Sequence, residues 1–236
     1  MMNHYLKETK MLDYHSSNIQ ELIKDRKWND MDTYSCIRSI YDFVRDEILF
    51  GYNKNDDISS SIVLKDGYGQ CNTKGTLFMS LLRGCGIPCR MHAFFIDKKL
   101  QKGSMKGFVY KRAPNHILHS WVEVYFEERW YELEGFIIDK KYLSSLQSLF
   151  PTCTGSFCGY GIAVKDFQDP TIDFYKNDTY IQKEGIIKDL GIYDSPDDML
   201  LEHQQSMNGM KRFLYQNVGR HLMNQNVRKI RNGHIN

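Results

Sequence analysis

The sequence lacks the features that identify membrane and secreted proteins. It has no stretch of about 18 apolar residues that could cross a bilayer. Residues 1–17 also lack the uninterrupted apolar core of a signal peptide. The formal net charge is only +2, which argues against a nucleic-acid partner for the chain as a whole. These absences predict a soluble, cytoplasmic protein with no membrane partner.

Metal and phosphate motifs are absent as well. The sequence contains no evenly spaced acidic loop of the calcium-binding kind, and none of its glycines leads into a Gly-Lys-Ser/Thr phosphate-binding motif. The six cysteines follow no regular framework, which favours reduced thiols over disulfides. We therefore expect no metal ion and no cofactor.

Four of the cysteines could instead bind a metal ion. Cys85 and Cys89 form a C-x3-C pair, Cys153 and Cys158 form a C-x4-C pair, and the two pairs could be assembled into a four-thiolate zinc site. The spacings are loose, however, and cysteines spaced in this way are usually small buried residues. We favour that interpretation.

The composition is that of a folded protein. The chain has 236 residues, of which 42% are hydrophobic and 13% aromatic. It is long enough to bury a full core, and aromatics at this level argue against disorder. We treat residues 1–236 as a single domain. The sequence contains no pattern from which an oligomeric state follows.

A cysteine stands at the start of a predicted helix in residues 67–90 (GYGQCNTKGTLFMSLLRGCGIPCR). A glycine-containing turn precedes Cys71, and Gly84, Gly86 and Pro88 end the helix. Between them apolar residues recur at helical spacing, at Leu77, Phe78, Leu81, Leu82 and Cys85. In the first turn of a helix the unpaired N–H groups and the positive end of the dipole favour an anion. Cys71 is therefore a candidate reactive thiolate, with a buried structural cysteine as the alternative.

The flanking segments predict further elements. Two amphipathic helices are expected before the cysteine, one from residue 17 to near Trp28 and one after Asp32 up to Gly51. Residues 90–97 (RMHAFFID) have the composition of a strand. Residues 98–115 are expected to form a loop or lid. A short strand at residues 109–110 is the alternative.

The last third of the chain carries weaker signals. Residues 150–200 combine glycine and proline with scattered aromatics, which indicates an ordered but irregular extension over the sheet. A helix is expected from Lys211, and its apolar side would be formed by Met210, Phe213, Leu214, Val218 and Leu222. From Lys211 to the end there are six Lys or Arg and no acid. We expect a docked surface helix with a basic tail, with an acidic partner or nucleic acid as the weaker alternative.

A β-hairpin is predicted in residues 119–134 (HSWVEVYFEERWYELE). Side chains alternate in the two-residue period of a strand over residues 119–126 and again over residues 130–134. A two-residue turn at Glu127 and Glu128 would place Phe126 opposite Arg129, although tight turns prefer Gly or Asn at those positions.

The hairpin register brings a histidine and a carboxylate together. Counting outward from the turn puts Trp121 opposite Glu134, so His119 and Glu134 become diagonal neighbours with Cβ atoms about 7–8 Å apart. Their side chains can close that gap. The alternative is an exposed sheet face that happens to be polar. His92 and His116 are interpreted as structural or surface residues.

The three side chains have complementary chemistry. A thiolate can attack a carbonyl, a histidine can take and return protons, and an acid can hold the imidazole and stabilise its charged form. Cys71, His119 and Glu134 are therefore the candidate catalytic residues for nucleophilic acyl transfer.

In this order the motifs resemble those of the transglutaminase-like (transglutaminase-core) superfamily of papain-related thiol enzymes. The matching segments are residues 69–71 (GQC), 81–90 (LLRGCGIPCR), 119–124 (HSWVEV) and 130–134 (WYELE), with residues 40–48 upstream. The resemblance covers about residues 35–140 and leaves residues 150–236 as an extension.

The resemblance implies an α+β fold in which the helix of Cys71 packs on an antiparallel sheet, with helical N-terminal cover. It also implies an oxyanion site that includes the backbone N–H of Cys71, with Gln70 and Tyr52 as candidate side-chain donors. Trp121 would wall the site beside His119, or else be a core tryptophan. The partner would be a peptide, protein or small amide substrate.

One position departs from the family pattern. Glu134 stands where the family usually carries aspartate, so its carboxylate lies one methylene further out; Asp139 is the alternative acid. The expected function is amide or peptide hydrolysis through an acyl-enzyme. Transamidation with an amine acceptor is an alternative, because the same triad serves both reactions. A non-catalytic binding or scaffold module with a relic triad is the third.

Overall fold

The computed structural model describes residues 2–203 and 209–235, apart from the side chains of residues 210–212. Its α-helices are α1 (Ser17–Asp25), α2 (Thr33–Asp46), α3 (Ser60–Asp66), α4 (Cys71–Gly84), α5 (Gly107–Arg112), α6 (Lys140–Leu149), α7 (Pro196–Glu202), α8 (Gly209–Leu214) and α9 (Arg220–Arg231). Its strands are β1 (Leu49–Phe50), β2 (Tyr68–Gly69), β3 (Cys89–Asp97), β4 (His116–Phe126), β5 (Arg129–Leu133), β6 (Phe157–Gly159), β7 (Ile162–Val164) and β8 (Ile186–Tyr193). The fold is α+β, as the sequence predicts. Among the described residues, no helix has both the length and the apolar character needed to cross a membrane.

The main sheet is antiparallel, with strand order β5-β4-β3-β8. The predicted hairpin register is confirmed, since Phe126 pairs with Arg129. The turn residues Glu127 and Glu128 have φ angles of 48° and 60°. Both are left-handed, as a two-residue turn of the type I′ class requires, even though neither residue is Gly or Asn.

Helix α4 lies at the centre of the fold and packs on the main sheet, as predicted. Every side chain from Cys71 to Arg83 is buried. The helix ends in a Schellman motif: the N–H of Ile87 donates to the Leu82 carbonyl at 2.9 Å, and Gly86 has a φ of 74°. Glycine is favoured at this position because a Cβ disfavours the left-handed conformation.

Lys74 links α4 to two other parts of the molecule. Its side chain is fully buried, and Nζ donates to the carbonyl oxygens of Arg45, at 3.1 Å, and Ile137, at 3.0 Å. Burial lowers the pKa of Lys74 to about 7, although the nearby Asp139 carboxylate opposes this shift. Lys74 therefore holds the end of α2 and the segment after β5 against the helix that begins with Cys71.

Two of the expectations for the middle of the chain are corrected. Residues 109–110, for which the sequence allows a short strand, lie within helix α5. The expected irregular extension contains β8, which pairs antiparallel with β3 at the edge of the main sheet. The β8 segment has only a partly buried face, so its hydrophobic alternation is too weak to signal a strand on its own.

The C-terminal helix is present, but its buried face differs from the predicted one. Met223, Val227 and Ile230 are buried, whereas the predicted apolar side is exposed, by 64% at Phe213, 42% at Leu214, 44% at Val218 and 44% at Leu222. The Met210 side chain lies outside the described residues. A π-helical turn at Tyr215–Gly219 interrupts the helical period between α8 and α9. A single 3.6-residue period therefore cannot predict one continuous face.

We predict that Lys74→Met removes one component of the pH dependence of stability. The folded-state pKa of Lys74, about 7, lies below the value of about 10.4 for an unfolded chain. Between these values the unfolded state binds a proton that the native state lacks, so Lys74 makes stability rise with pH, by about 1 kcal/mol per pH unit. Chemical denaturation from pH 6 to 10 should show a difference between wild type and variant that grows with pH. The exposed Lys24→Met is the control, and parallel curves for wild type and Lys74→Met would contradict the assignment.

Candidate active site

Cys71 is the first residue of α4, where the sequence placed it, and its side chain is 8% exposed. The preceding Gln70 ends the extended segment, and its backbone N–H donates to Thr73 Oγ1 at 3.1 Å. This bond satisfies a donor at the helix start in the manner of a capping box. The thiol therefore lies in the first turn of the helix, where the backbone N–H groups favour a negative charge.

His119 and Glu134 meet as the hairpin register predicts. His119 Nε2 and Glu134 Oε1 are 2.7 Å apart, and both side chains are fully buried. An ionised carboxylate only accepts hydrogen bonds, so Nε2 carries the hydrogen. The other ring nitrogen, Nδ1, makes no hydrogen bond to a nitrogen or oxygen atom within the described part of the chain.

The second oxygen of Glu134 is held by backbone groups. Oε2 accepts from the N–H groups of Ile181 at 2.7 Å, Gln182 at 2.8 Å and Lys183 at 3.1 Å. Three donors and the imidazole replace the water that a buried carboxylate loses. Sequence reasoning missed this segment, because backbone donors leave no residue-type signal.

The ring of His119 is held in its charged form. Burial on its own would lower the pKa of His119, but the negative charge of Cys71 and the hydrogen-bonded Glu134 carboxylate outweigh it and raise the pKa to about 10. Cys71 exerts the larger of these two effects. Cys71 and Glu134 therefore both stabilise the protonated ring of His119.

Tyr52 lies within electrostatic range of Cys71. Its pKa is raised, first by burial and then by the negative charge of Cys71, while the hydrogen bond with Ser104 opposes the rise. The hydroxyl donates to Gln101 Oε1 at 2.7 Å and lies 3.2 Å from Ser104 Oγ. Gln101 and Ser104 belong to the segment predicted as a loop or lid, and both are buried. That segment therefore packs against Tyr52, the residue that interacts electrostatically with Cys71.

The Gln70 side chain is bonded away from the thiol. Its Oε1 accepts from the Asn53 N–H at 3.2 Å, and its Nε2 donates to Asp56. The structure therefore places this candidate oxyanion donor in contacts with the loop that follows β1.

Trp121 packs on the same face of β4 as His119. The indole is 3% exposed and lies 4.1 Å from the Phe94 ring and 5.8 Å from the Tyr180 ring, measured between centroids. Its N–H has no hydrogen-bond partner in the described residues. The Phe94 ring is also 6.3 Å from that of His119, so Trp121 extends an aromatic wall that begins beside the histidine.

The alternative acid, Asp139, does not reach the histidine. It caps α6 by accepting from the Tyr142 N–H at 2.9 Å, and it pairs with Arg231 at 2.8 Å. His92 is bonded to Glu123 and Asp189 instead. These residues are structural in this fold.

The cysteines considered for zinc are engaged elsewhere. Cys89 Sγ donates to the Met79 carbonyl at 3.6 Å, and Cys153 Sγ to the Ser156 carbonyl at 3.8 Å. Cys85 hydrogen-bonds with Cys36. Within residues 2–203 and 209–235, no group of three or more His, Cys, Asp or Glu side chains is arranged to hold a metal ion.

Known proteins resemble this chain in part. The family model of the transglutaminase-like superfamily matches residues 21–135. The uncharacterized protein YebA of Bacillus subtilis (strain 168) is 33% identical over 98 residues, which are 39% of this chain and 13% of YebA.

Two solved structures are also similar. A suggested cysteine protease from Cytophaga hutchinsonii has a TM-score of 0.48 and 14% identity, covering 84% of this chain and 48% of that one. Red sea bream transglutaminase has a TM-score of 0.30 and 18% identity, covering 56% of this chain and 26% of that one. The chain thus spans less than half the length of YebA and of either solved protein.

The charge pairing at His119 predicts a measurable titration. In wild type the ring should stay protonated up to a pH of about 10, and Cys71→Ser should lower that pKa because it removes the thiolate. A folded-state pKa above the unfolded value near 6.5 means that the pair stabilises the fold fully below that pH and loses its effect as the pH rises through 10. Histidine-selective NMR measures the titration, with the seven other histidines of the eight as internal references. An identical His119 titration in the two proteins would contradict the pairing.

Proposed function

We propose that this chain, whose residues 21–135 match the family model of the transglutaminase-like superfamily, is a thiol-dependent acyl-transfer enzyme that acts on amide or peptide bonds. The observation that carries the proposal is the buried His119–Glu134 pair, 2.7 Å apart, whose ring is held protonated by Cys71. Charged groups buried in this arrangement are typical of active sites rather than of structural cores.

The proposed roles follow from the geometry. The Cys71 thiolate attacks the substrate carbonyl, and a bond forms between sulfur and carbon. His119 gives its proton to the departing amine and later takes one from the acceptor that releases the acyl group. Glu134 keeps the hydrogen on Nε2, so that Nδ1 is the nitrogen left to exchange protons with the sulfur and the substrate.

The oxyanion that forms on the carbonyl needs hydrogen-bond donors. The backbone N–H of Cys71, in the first turn of α4, is the proposed main donor. Of the two candidate side chains, Tyr52 is the better placed, because it interacts electrostatically with Cys71 while the Gln70 amide is bonded to Asp56. To act, the Tyr52 hydroxyl would have to exchange its bond to Gln101 for one to the substrate.

Hydrolysis is the proposed outcome, with water as acceptor and a peptide, protein or small amide as substrate. Transamidation is the second candidate because of the low exposure of the site, 8% at Cys71 and 0% at His119. Exclusion of water protects an acyl-enzyme from hydrolysis and favours an amine acceptor. A binding module with a relic triad is the third, and the buried hydrogen bond between His119 and Glu134, beside Cys71, argues against it.

We predict that Glu134→Gln lowers kcat by about 100-fold or more. The three N–H donors that hold Oε2 should take the single amide oxygen, which turns the –NH2 group toward His119. The Nε2 atom must then accept, so the hydrogen moves to Nδ1 and the ring can no longer receive a proton there. Steady-state kinetics on a cleavable amide measures the effect. Glu128→Gln, at the exposed hairpin turn, is the control, and a Glu134→Gln variant with wild-type kcat would rule out the role.

The class of reaction can be read by mass spectrometry on a panel of peptides and amides, with and without a primary amine. Wild type should release acid products that disappear in Cys71→Ala and persist in the control Cys158→Ala, which removes an exposed thiol. Products that form only with the amine would select transamidation. If no product depends on Cys71, the scaffold alternative replaces the enzyme.

A further inference from the structure

Asn72, the residue after Cys71, is bonded to both neighbours of His119. Its side chain is 2% exposed. Oδ1 accepts from Ser120 Oγ at 2.9 Å, and Nδ2 donates to the Leu118 carbonyl at 3.4 Å. One amide group therefore connects the nucleophile's helix to the strand positions on either side of the histidine.

The strand needs such a contact at this point. The pairing of β5 with β4 ends where Leu133 meets Val122. Within residues 2–203 and 209–235, the part of β4 that carries His119 therefore has a strand partner on one side only, where His119 pairs with Phe94 of β3. Ladder hydrogen bonds alone leave this part of β4 held from one side, so Asn72 provides a second constraint.

The same amide is fixed on the Cys71 side. Asn72 Nδ2 also donates to Asp56 Oδ2 at 3.0 Å, and the other oxygen of Asp56 accepts from Gln70 Nε2. Asp56 thus binds the two residues that flank Cys71, and Asn72 binds the two that flank His119. This pattern of bonds holds both reacting groups in one rigid network.

We propose that Asn72 is a positioning residue that fixes the separation between the Cys71 thiolate and the His119 ring. The attraction between the two charges falls as they separate, and a displacement of about 1 Å can cost about 100-fold in rate. Asn72 bonds the neighbours of His119, so it acts through the backbone of β4. The expected effect of Asn72 on turnover rests on the proposed function. Its expected effect on the interaction between Cys71 and His119 does not.

The test is Asn72→Ala with three readouts: the NMR titration of His119, the rate at which iodoacetamide alkylates Cys71, and kcat and KM. We expect a lower pKa for His119. At pH 7 the alkylation of Cys71 should slow by about tenfold, because less thiolate is paired with the imidazolium. We expect kcat to fall by about 10- to 100-fold with KM within about twofold.

Ser80→Ala is the matched control. Ser80 is fully buried on the same helix, and its hydroxyl has no partner among the residues that the structure describes. Its removal should leave all three readouts unchanged. Ser120→Ala removes one of the Asn72 bonds and should move the same readouts in the same direction by a smaller amount.

The outcomes separate the possibilities. A folded Asn72→Ala with wild-type His119 titration and alkylation would overturn the proposal. If Asn72→Ala does not fold, Ser120→Ala decides: a shifted titration supports the positioning role, and an unshifted one overturns it. If wild type turns over no amide, the proposed function fails. The titration of His119 and the alkylation of Cys71 still test the positioning role of Asn72.

Discussion

The burial of a carboxylate beside a charged imidazole is the constraint on which the rest of the site depends. Removing two charges from water costs several kcal/mol per ion unless their hydrogen bonds are replaced. Glu134 recovers four of these, one from His119 and three from backbone N–H groups. The carboxylate can be retained in the core only because this set of donors is complete. The position of the histidine follows from that of the carboxylate.

The donors come from a segment outside the matched family core. The Glu134 N–H donates to the Thr179 carbonyl at 2.9 Å, and Thr179 Oγ1 in turn accepts from the hydroxyl of Tyr41 at 3.0 Å. Helix α2, the end of β5 and the extension therefore meet at one buried point. The extension is part of the proposed active site, because it supplies the backbone groups at 181–183 that hold the acid.

The C-terminal helix plays a similar part at Tyr52. The Asn224 side chain bonds both the N–H, at 2.7 Å, and the carbonyl, at 3.0 Å, of Tyr52. Asn226 donates to the carbonyls of Gly103 and Ser104. Tyr52 and the segment that contacts it are thereby held by α9, so both ends of the extension support the site that the core provides.

The sequence by itself determined the parts of the molecule whose causes are local. The position of Cys71 at a helix start follows from the glycines that flank the helix and from the helical spacing of its apolar residues. The His119–Glu134 contact follows from the register that a two-residue turn gives the hairpin. Tertiary packing decided the rest. The buried face of α9, the donors of residues 181–183 and the bonds of Asn72 all join segments far apart in the chain. No local period or residue type encodes them, because each depends on which backbone groups remain unpaired once the core has formed.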